Sequence, residues 1–258
     1  MTVKSLTEIA NYYGTDKGTI GPSVGWIAHN YTDIYESYLW RYRQASINLL
    51  EIGLGVTGQR WDAQIVHGRN KGGASIKMWY DYFPNANIYG IDINPSTFLE
   101  NDRIRTFAVD QGNKDDLINF LKSIGKIEFE VIIDDGSHRP DHQQITLSIL
   151  FERLKSGGLY FIEDLLSNGL GDNYKGRMAC DNVRNSRSIL KYYSNHGEFA
   201  EPNAFINPEY LEDNIDRVFF HVPRISVSIA LQANFRRPIR KVVKFRPDSE
   251  SLCLIVKK

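Results

Sequence analysis

Five short apolar runs divide the first two thirds of the chain, and each ends close to a glycine or an acidic residue. They are INLLEIG (47–53), NIYGIDI (87–93), IRTFAVD (104–110), FEVIIDD (129–135) and GLYFIED (158–164). Runs of this length that are rich in β-branched and aromatic residues are typical of strands buried on both faces. The pattern therefore predicts five buried strands.

Helical patterns lie between these runs. Residues 74–83 precede Pro84, residues 114–124 are amphipathic and end at Gly125, and residues 142–154 carry apolar positions at helical spacing. Strands that alternate with helices connect through right-handed crossovers into a parallel sheet covered on both faces. The chain is therefore predicted to be an α/β protein with a doubly wound, mostly parallel sheet.

The two ends of the chain are less regular. Residues 1–46 are polar and aromatic with weak periodicity, and they are interpreted as an N-terminal cap on a domain of residues 47–258. After the fifth run we expect a long loop at 165–181, a helix at 182–195 and strands at 217–222, at 225–231 and in SLCLIVK at the end of the chain. Which of these strands fill the edge of the sheet stays open.

Composition narrows the class of protein. The chain has 258 residues, 42% of them hydrophobic and 24% charged, and its 31 basic and 31 acidic residues cancel. This balance argues against a nucleic-acid partner, and the basic segment 236–246 is better interpreted as solvated surface. Cys180 and Cys253 are too far apart to suggest a zinc or redox pair. Without a signal-peptide core or an apolar run of ~20 residues, we expect a cytoplasmic protein with no membrane contact.

Candidate chemistry falls at the carboxyl ends of the predicted strands, which is where open parallel sheets bind ligands. The first strand ends in Glu51, Gly53 and Gly55, where glycines would let a ligand approach the backbone, although a tight turn without a ligand fits equally well. Asp92 ends the second strand and suits two ribose hydroxyls. The spacing is not that of the compact dinucleotide fingerprint.

The third strand ends in Asp110-Gln111. This pair is placed to contact an adenine edge, but it fits equally well as the N-cap of the helix that begins at Lys114.

The fourth and fifth strands give the strongest signal. Asp135 in the run DDGSH and the pair Glu163-Asp164 would meet at adjacent strand ends, where like charges are costly without a cation. Carboxylate oxygens with open positions suit Mg²⁺. His138 is a candidate general base, whereas His142 is better interpreted as a packing or capping residue. The alternative for both acidic motifs is a pair of N-capped helix starts.

The combined motifs resemble a known family. The matching stretches are YGTDKG (13–18), HNYTDIYESYL (29–39), LEIGLG (50–55), GGASIKMWYDYFPNANIYGIDI (72–93), DQGN (110–113), IIDDGSH (132–138) and SGGLYFIEDL (156–165). Together they are similar to the class I S-adenosylmethionine methyltransferases of the macrolide-sugar O-methyltransferase type, with cephalosporin-hydroxylase-like proteins as relatives. The resemblance fades beyond Leu165.

The resemblance implies a Rossmann-like, seven-stranded class I fold that uses S-adenosyl-L-methionine and Mg²⁺, with residues 165–215 as the variable acceptor-binding region. It implies that Asp135, Glu163 and Asp164 bind the metal and that His138 is the catalytic base. It also implies a small-molecule acceptor, expected to be a glycoside with vicinal hydroxyls, and a dimer or tetramer. The implied cofactor pocket comprises Tyr31, Glu51, Gly53, Gly55, Ser75, Asp92, Asp110, Gln111 and Asp134.

Other functions remain open at this point. A catechol would chelate a metal as a vicinal diol does, so a catechol-type or other small-molecule O-methyltransferase is the nearest alternative. A nicotinamide-dependent dehydrogenase on the same fold would need the compact glycine motif that the chain lacks. A binding or scaffold module would leave the acidic cluster and His138 unexplained, and a metal-dependent hydrolase is the weakest rival. The segment 56–71 departs from the family pattern, which leaves its cofactor contacts open.

Overall fold

The structure is a computed structural model that describes residues 3–20, 28–56, 72–171, 174–175, 178–200, 205–223 and 250–258. Its main feature is a seven-stranded sheet. The strands are β1 (Asn48–Ile52), β2 (Asn87–Asp92), β3 (Ile104–Ala108), β4 (Phe129–Asp134), β5 (Leu154–Ile162), β8 (Ile215–His221) and β9 (Leu252–Lys257). Their order in the sheet is β3-β2-β1-β4-β5-β9-β8. Strands β1 to β5 pair in parallel, and β9 runs antiparallel to both β5 and β8.

All five strands expected from the apolar runs are present, and the prediction of a doubly wound, mostly parallel sheet is confirmed. The largest difference is at β5, which begins at Leu154, where the sequence pattern predicts the end of a helix. The preceding helix ends at Leu150, and a short 3-10 turn links it to the strand. Four residues, including Gly157 with φ +71°, bulge out of the pairing between Leu154 and Leu159. Gly157 and Gly158 therefore lie inside the strand instead of marking its start.

Seven helices lie among the described residues, and the helices expected at 74–83, 114–124 and 182–195 are each found within a few residues of their predicted ends. The first helix begins with a capping box formed by Ser5 and Glu8, and Gly14 ends it in the left-handed conformation. The helices are α1 (Leu6–Tyr13), α2 (Thr32–Leu39), α3 (Ala74–Tyr82), α4 (Lys114–Ser123), α5 (Pro140–Leu150), α6 (Ser186–His196) and α7 (Pro208–Asn214).

A separate apolar core covers each face of the sheet. On one face, Leu50 and Ile132 pack with residues of α4, α5 and α6. On the other face, Leu49 and Ile133 pack with residues of α1, α2 and α3. The N-terminal helices therefore share a core with the sheet, and this packing fixes residues 28–39 beside the carboxyl ends of the strands.

The region after β5 is only partly irregular. The predicted loop at 165–181 contains a 3-10 turn at Leu165–Asn168 and a two-stranded hairpin, β6 (Gly169–Gly171) and β7 (Tyr174–Lys175). The strands expected near 217–222 and at the end of the chain are β8 and β9, which complete the sheet edge beyond β5. The predicted strand at 225–231, the basic segment 236–246 and most of the segment 56–71 lie outside the described residues. In the described part of the chain, no helix combines the length and apolarity that a membrane crossing requires.

Candidate active site

The carboxyl ends of the four neighbouring strands β2, β1, β4 and β5 are joined by backbone hydrogen bonds beyond the strands themselves. The Gly53 amide donates to Ile91 (2.8 Å), the Asp135 amide to Ile52 (2.9 Å) and the Glu163 amide to Asp134 (2.9 Å). The acidic strand ends therefore gather at one edge of the sheet, as the topology rule predicts.

Three side chains at this edge form a compact group of potential metal ligands. One ligand atom each from Asp135, His138 and Asp164 lies within 4.8 Å of the others, and Nε2 of His138 is 3.7 Å from Oδ2 of Asp164. His138 (φ +58°) and Asp164 (φ +53°) are both in the left-handed backbone region. That conformation costs about 1–2 kcal/mol for a residue with a Cβ, and such strain concentrates at functional sites.

Lys17 lies among three carboxylates and is fully buried. Its Nζ contacts Oδ2 of Asp135 and lies 2.9 Å from Oε1 of Glu163 and 3.9 Å from Oε1 of Glu51. Burial alone would lower the pKa of Lys17, but the three carboxylates hold it well above the usual value. The cation that the clustered acids require is thus partly supplied by the chain itself. Sequence reasoning did not single out Lys17.

Glu163 faces Lys17 instead of the compact group. Its Oε1 also accepts a hydrogen bond from the hydroxyl of the fully buried Tyr35. Burial and the neighbouring Asp135 raise the pKa of Glu163 well above the usual value, against the opposing effect of Lys17. Its role as a metal ligand stays a prediction.

Asp164 is surrounded by donors from the N-terminal segment. The Tyr31 hydroxyl donates to Oδ1 (2.6 Å), and Nδ1 of His29 lies 3.3 Å from the same oxygen. Burial would raise the pKa of Asp164, but His29, His138 and the Tyr31 hydrogen bond bring it below the usual value. Tyr31, expected in the cofactor pocket, thus contacts a candidate metal ligand. His29 was not predicted as a site residue, although it lies in one of the stretches that carry the family resemblance.

The glycine-containing turn after β1 closes onto Asp92. Oδ2 of Asp92 accepts hydrogen bonds from the amides of Leu54 (2.9 Å) and Val56 (3.4 Å), and Oδ1 accepts from Asn94 (2.9 Å). Gly53 (φ +84°) has no room for a side chain, because a Cβ there would lie 2.2 Å from the carbonyl oxygen of Asp135. The turn therefore lies close to the backbone of Asp135, a member of the metal-ligand group. The ribose contact expected for Asp92 stays a prediction.

Glu51 is buried at the end of β1 beside the first turns of α3. Its Oε1 accepts a hydrogen bond from Nε1 of Trp79 (3.2 Å), and the hydroxyl of the buried Ser75 also contacts it. Burial raises the pKa of Glu51 to about 7, and Lys17 opposes this shift. The expected cofactor residues Glu51 and Ser75 are therefore neighbours.

Gln111 bridges the ends of β3 and β4. Its Oε1 accepts from the Ser137 amide (2.6 Å), and its Nε2 donates to Oδ1 of Asp134 (3.2 Å). Burial raises the pKa of Asp134 to about 6, and its Oδ2 has no hydrogen-bond partner among the described residues. Asp110 accepts from the Gly112 amide (2.9 Å). The adenine contact of Asp110 and Gln111 stays a prediction.

From the sequence, Asp110 and the acidic motif at Asp135 could also be N-caps of the helices that follow them, α4 and α5. The N-cap of α4 is Asn113, whose side chain accepts hydrogen bonds from the amides of Asp115 and Asp116, and the N-cap of α5 is Arg139, whose side chain makes no capping hydrogen bond. Neither Asp110 nor Asp135 caps a helix. Nδ1 of His142 lies 2.8 Å from the hydroxyl of Ser137, a contact that fits the packing role expected for this histidine.

The chain is similar to known proteins in both sequence and structure. No family model matches the chain. The chain is 38% identical over 139 residues to 8-demethyl-8-(2-methoxy-alpha-L-rhamnosyl)-tetracenomycin-C 3'-O-methyltransferase of Streptomyces olivaceus, covering 53% of this chain and 32% of that protein. It is 34% identical over 161 residues to mycinamicin VI 2''-O-methyltransferase of Micromonospora griseorubida, covering 62% and 36%. The matched stretches thus span about a third of the length of these relatives.

A solved structure shows the same fold. It is the MycE methyltransferase of the mycinamycin biosynthetic pathway in complex with Mg, SAH and mycinamycin VI, with a TM-score of 0.65 and 24% identity over 98% of this chain and 54% of that one. The sheet order with antiparallel β9 is that of the class I methyltransferase fold. The resemblance found in the sequence motifs is confirmed by these matches.

Proposed function

We propose that this chain, which is homologous over more than half of its length to sugar O-methyltransferases of glycosylated natural products, transfers the methyl group of S-adenosyl-L-methionine to a sugar hydroxyl of such a compound. The observation that carries the proposal is the group formed by Asp135, His138 and Asp164 beside the turn after β1. A base and two carboxylates adjoin the strand ends where this fold binds ligands.

The donor set fits a divalent ion of the Mg²⁺ type. Asp135 and Asp164 offer carboxylate oxygens, and Mg²⁺ is usually held by one or two carboxylates together with water or substrate oxygens. When bound, the ion would supply Lewis-acid chemistry that lowers the pKa of a hydroxyl group of the acceptor. Both side chains are about 20% exposed, so the site can be reached from solvent.

We assign the role of general base to His138, whose imidazole lies beside the carboxylates of Asp135 and Asp164. Its Nδ1 makes no hydrogen bond to any described residue, and its Nε2 faces Asp164. After His138 takes the hydroxyl proton, the carboxylate of Asp164 would stabilise the imidazolium. The methyl group then moves from sulfur to the hydroxyl oxygen as the C–S bond breaks and the C–O bond forms, so the protein mainly orients the two reactants and removes the proton.

The cofactor would lie along the turn after β1 and the ends of β2 and β3. The absence of a side chain at Gly53, the buried Glu51 and the pairing of Gln111 with Asp134 support this placement. Asp92 would exchange backbone partners for ribose hydroxyls, since its Oδ2 is engaged by the turn after β1 and its Oδ1 by the Asn94 amide. The SAH bound in the MycE structure supports the choice of S-adenosylmethionine as cofactor.

A sugar acceptor is favoured over a catechol because the relatives named above are methyltransferases of glycosylated compounds. The acceptor would enter next to residues 165–215, the region where the resemblance fades. Assembly into a dimer or tetramer stays a prediction.

Transfer of a radiolabelled methyl group tests this function. Metal-stripped protein is incubated with labelled S-adenosylmethionine and rhamnosides, macrolide glycosides, their aglycones or catechols, with and without added Mg²⁺. We expect label only in glycosides and only with Mg²⁺. Label in no glycoside, or equal labelling of catechols, would contradict the proposal. Calorimetry with S-adenosylmethionine and its demethylated product checks cofactor binding independently of the acceptor.

A further inference from the structure

Lys17 is placed unusually for a lysine, because its side chain is completely buried and its ammonium group lies between carboxylates from three different strand ends. Nζ contacts Asp135 and lies within 4.0 Å of both Glu163 and Glu51. Only Asp135 of these three acids also belongs to the compact metal-ligand group. The acidic cluster thus has an inner half around Lys17 and an outer half around His138 and Asp164, and Asp135 is shared by both.

Backbone hydrogen bonds hold the Lys17 segment against residues 28–32. The His29 amide donates to Asp16 (2.7 Å), the Asn30 amide to Gly18 (2.9 Å) and the Thr32 amide to Lys17 (3.1 Å). The ammonium group is therefore held in place by residues 28–32, and little conformational entropy is lost in keeping it there.

We propose that Lys17 is a positioning residue whose ammonium group acts as a built-in cation, holding Asp135 and Glu163 together and competing with the divalent ion for Asp135. The inference rests on the metal site proposed above. Repulsion between the ammonium group and a divalent ion that share one carboxylate weakens metal binding, and the effect is large in a buried site, where screening is poor. Lys17 therefore keeps the acidic cluster assembled without a metal and limits how tightly the metal binds.

The direction of the effect separates this role from a purely structural one. If Lys17 only supported the fold, replacing it would disorder the carboxylates and weaken metal binding. If it is a competing cation, Lys17→Met keeps most of the length of the side chain, removes the charge and strengthens metal binding. Lys17→Arg keeps the charge and should leave metal affinity close to that of the wild type.

Mn²⁺ is the probe, because free Mn²⁺ can be counted by electron paramagnetic resonance without substrate or cofactor. We expect K17M to bind Mn²⁺ at least about tenfold more tightly than the wild type, K17R to match the wild type, and K17M/E163Q to fall back towards it because one carboxylate charge is removed. The control K126M removes an exposed lysine in the turn after α4 and should change nothing. Equal or weaker Mn²⁺ binding by K17M would overturn the inference.

Thermal unfolding with and without Mn²⁺ tests the inference even if K17M is less stable than the wild type. Three carboxylates then face one another without a cation, so Mn²⁺ should raise the melting temperature of K17M by more than that of the wild type. Failure of K17M to fold even with Mn²⁺ would also overturn the inference, because a divalent ion then cannot replace the ammonium group. Mn²⁺ binding by K17M but not by the wild type would support the competition by Lys17 at this site and would contradict the use of a metal ion by the wild-type protein.

Discussion

The hydroxyl of Tyr31 donates a 2.6 Å hydrogen bond to Oδ1 of Asp164, which joins the N-terminal segment to the end of β5. Tyr31 is 1% exposed and packs edge-on against His29, so the bond is held inside the protein. A hydrogen bond from a fixed donor to a carboxylate stabilises the ionised form.

Tyr31→Phe should therefore lower the free energy of unfolding at neutral pH by about 1.5–3 kcal/mol, the usual range for a bond to a charged group. The folded pKa of Asp164 is lowered, so its stabilising effect is present above the pKa of the unfolded chain and is lost as pH falls through the folded value. The difference between variant and wild type should accordingly shrink in acid. Denaturant unfolding at a series of pH values measures this difference in the free energy of unfolding.

Tyr13→Phe is the matched control for this change. The Tyr13 hydroxyl donates a 2.7 Å bond to Asp81 at the surface, where solvent replaces the lost partner. We expect a loss below about 1 kcal/mol. Equal losses for the two variants would contradict the special role of the Asp164 contact.

His138→Ala should reduce turnover by about 10²–10⁴-fold, because a positioned general base contributes that much, and should leave cofactor affinity nearly unchanged. Methyl transfer and calorimetry provide the two measurements. His196→Ala alters an exposed histidine of α6 and should behave as the wild type. Unchanged turnover in His138→Ala would remove this residue from the mechanism.

Asp134→Asn should make the protein more stable at pH 8 and the gain should disappear near pH 4. Burial raises the folded pKa of Asp134 to about 6, so its ionised form is disfavoured in the folded state and stability falls as pH rises from the unfolded pKa through that value. Asparagine keeps an acceptor for Gln111 but carries no charge. The gain is bounded at about 3 kcal/mol by a shift of this size.

Asp102→Asn serves as the comparison, because Asp102 is exposed and also accepts one side-chain hydrogen bond, from Tyr80. We expect a change in stability of only about 0.5 kcal/mol or less there, as is usual at an exposed position. A pH-independent effect of Asp134→Asn would show that Asp134 does not carry this charge penalty.

Gly53→Ala tests the close approach of the β1 turn to the site. A Cβ at Gly53 would lie 2.2 Å from the Asp135 carbonyl oxygen, whereas Gly125 (φ +66°) has nothing within 4 Å of such an atom. Gly125→Ala should cost only the left-handed strain, about 1–2 kcal/mol, and Gly53→Ala at least about 2 kcal/mol more. Similar losses in denaturant unfolding would mean that the turn can move away from Asp135.

The parallel strands β1 to β4 follow from the sequence within one or two residues, because strands buried on both faces leave continuous apolar runs between turn residues. The start of β5 does not follow from the sequence, because a pair of glycines normally marks the end of an element, whereas Gly157 and Gly158 lie in a bulge within the strand. The convergence of acidic strand ends follows from topology alone. The local sequence pattern therefore predicts the position of a residue wherever the sheet itself places that residue.

The residues that approach the site from the N-terminal segment were harder to predict. Lys17 contacts Asp135 from 118 positions away, and Tyr35 reaches Glu163 from 128 positions away. Such contacts leave no periodic signal, because they depend on how α1 and α2 pack against the sheet. The sequence motifs predict a metal ion that neutralises the charge of Asp135, Glu163 and Asp164. They do not indicate that the ammonium group of Lys17 also contacts two of these three acids, Asp135 and Glu163.

The most direct test of the account is the position of a bound ion. Crystals grown with Mn²⁺ and the demethylated cofactor would be measured at a wavelength at which manganese scatters anomalously. We predict one anomalous peak between the carboxylates of Asp135 and Asp164, next to His138. A peak elsewhere, or none at saturating Mn²⁺, would contradict it.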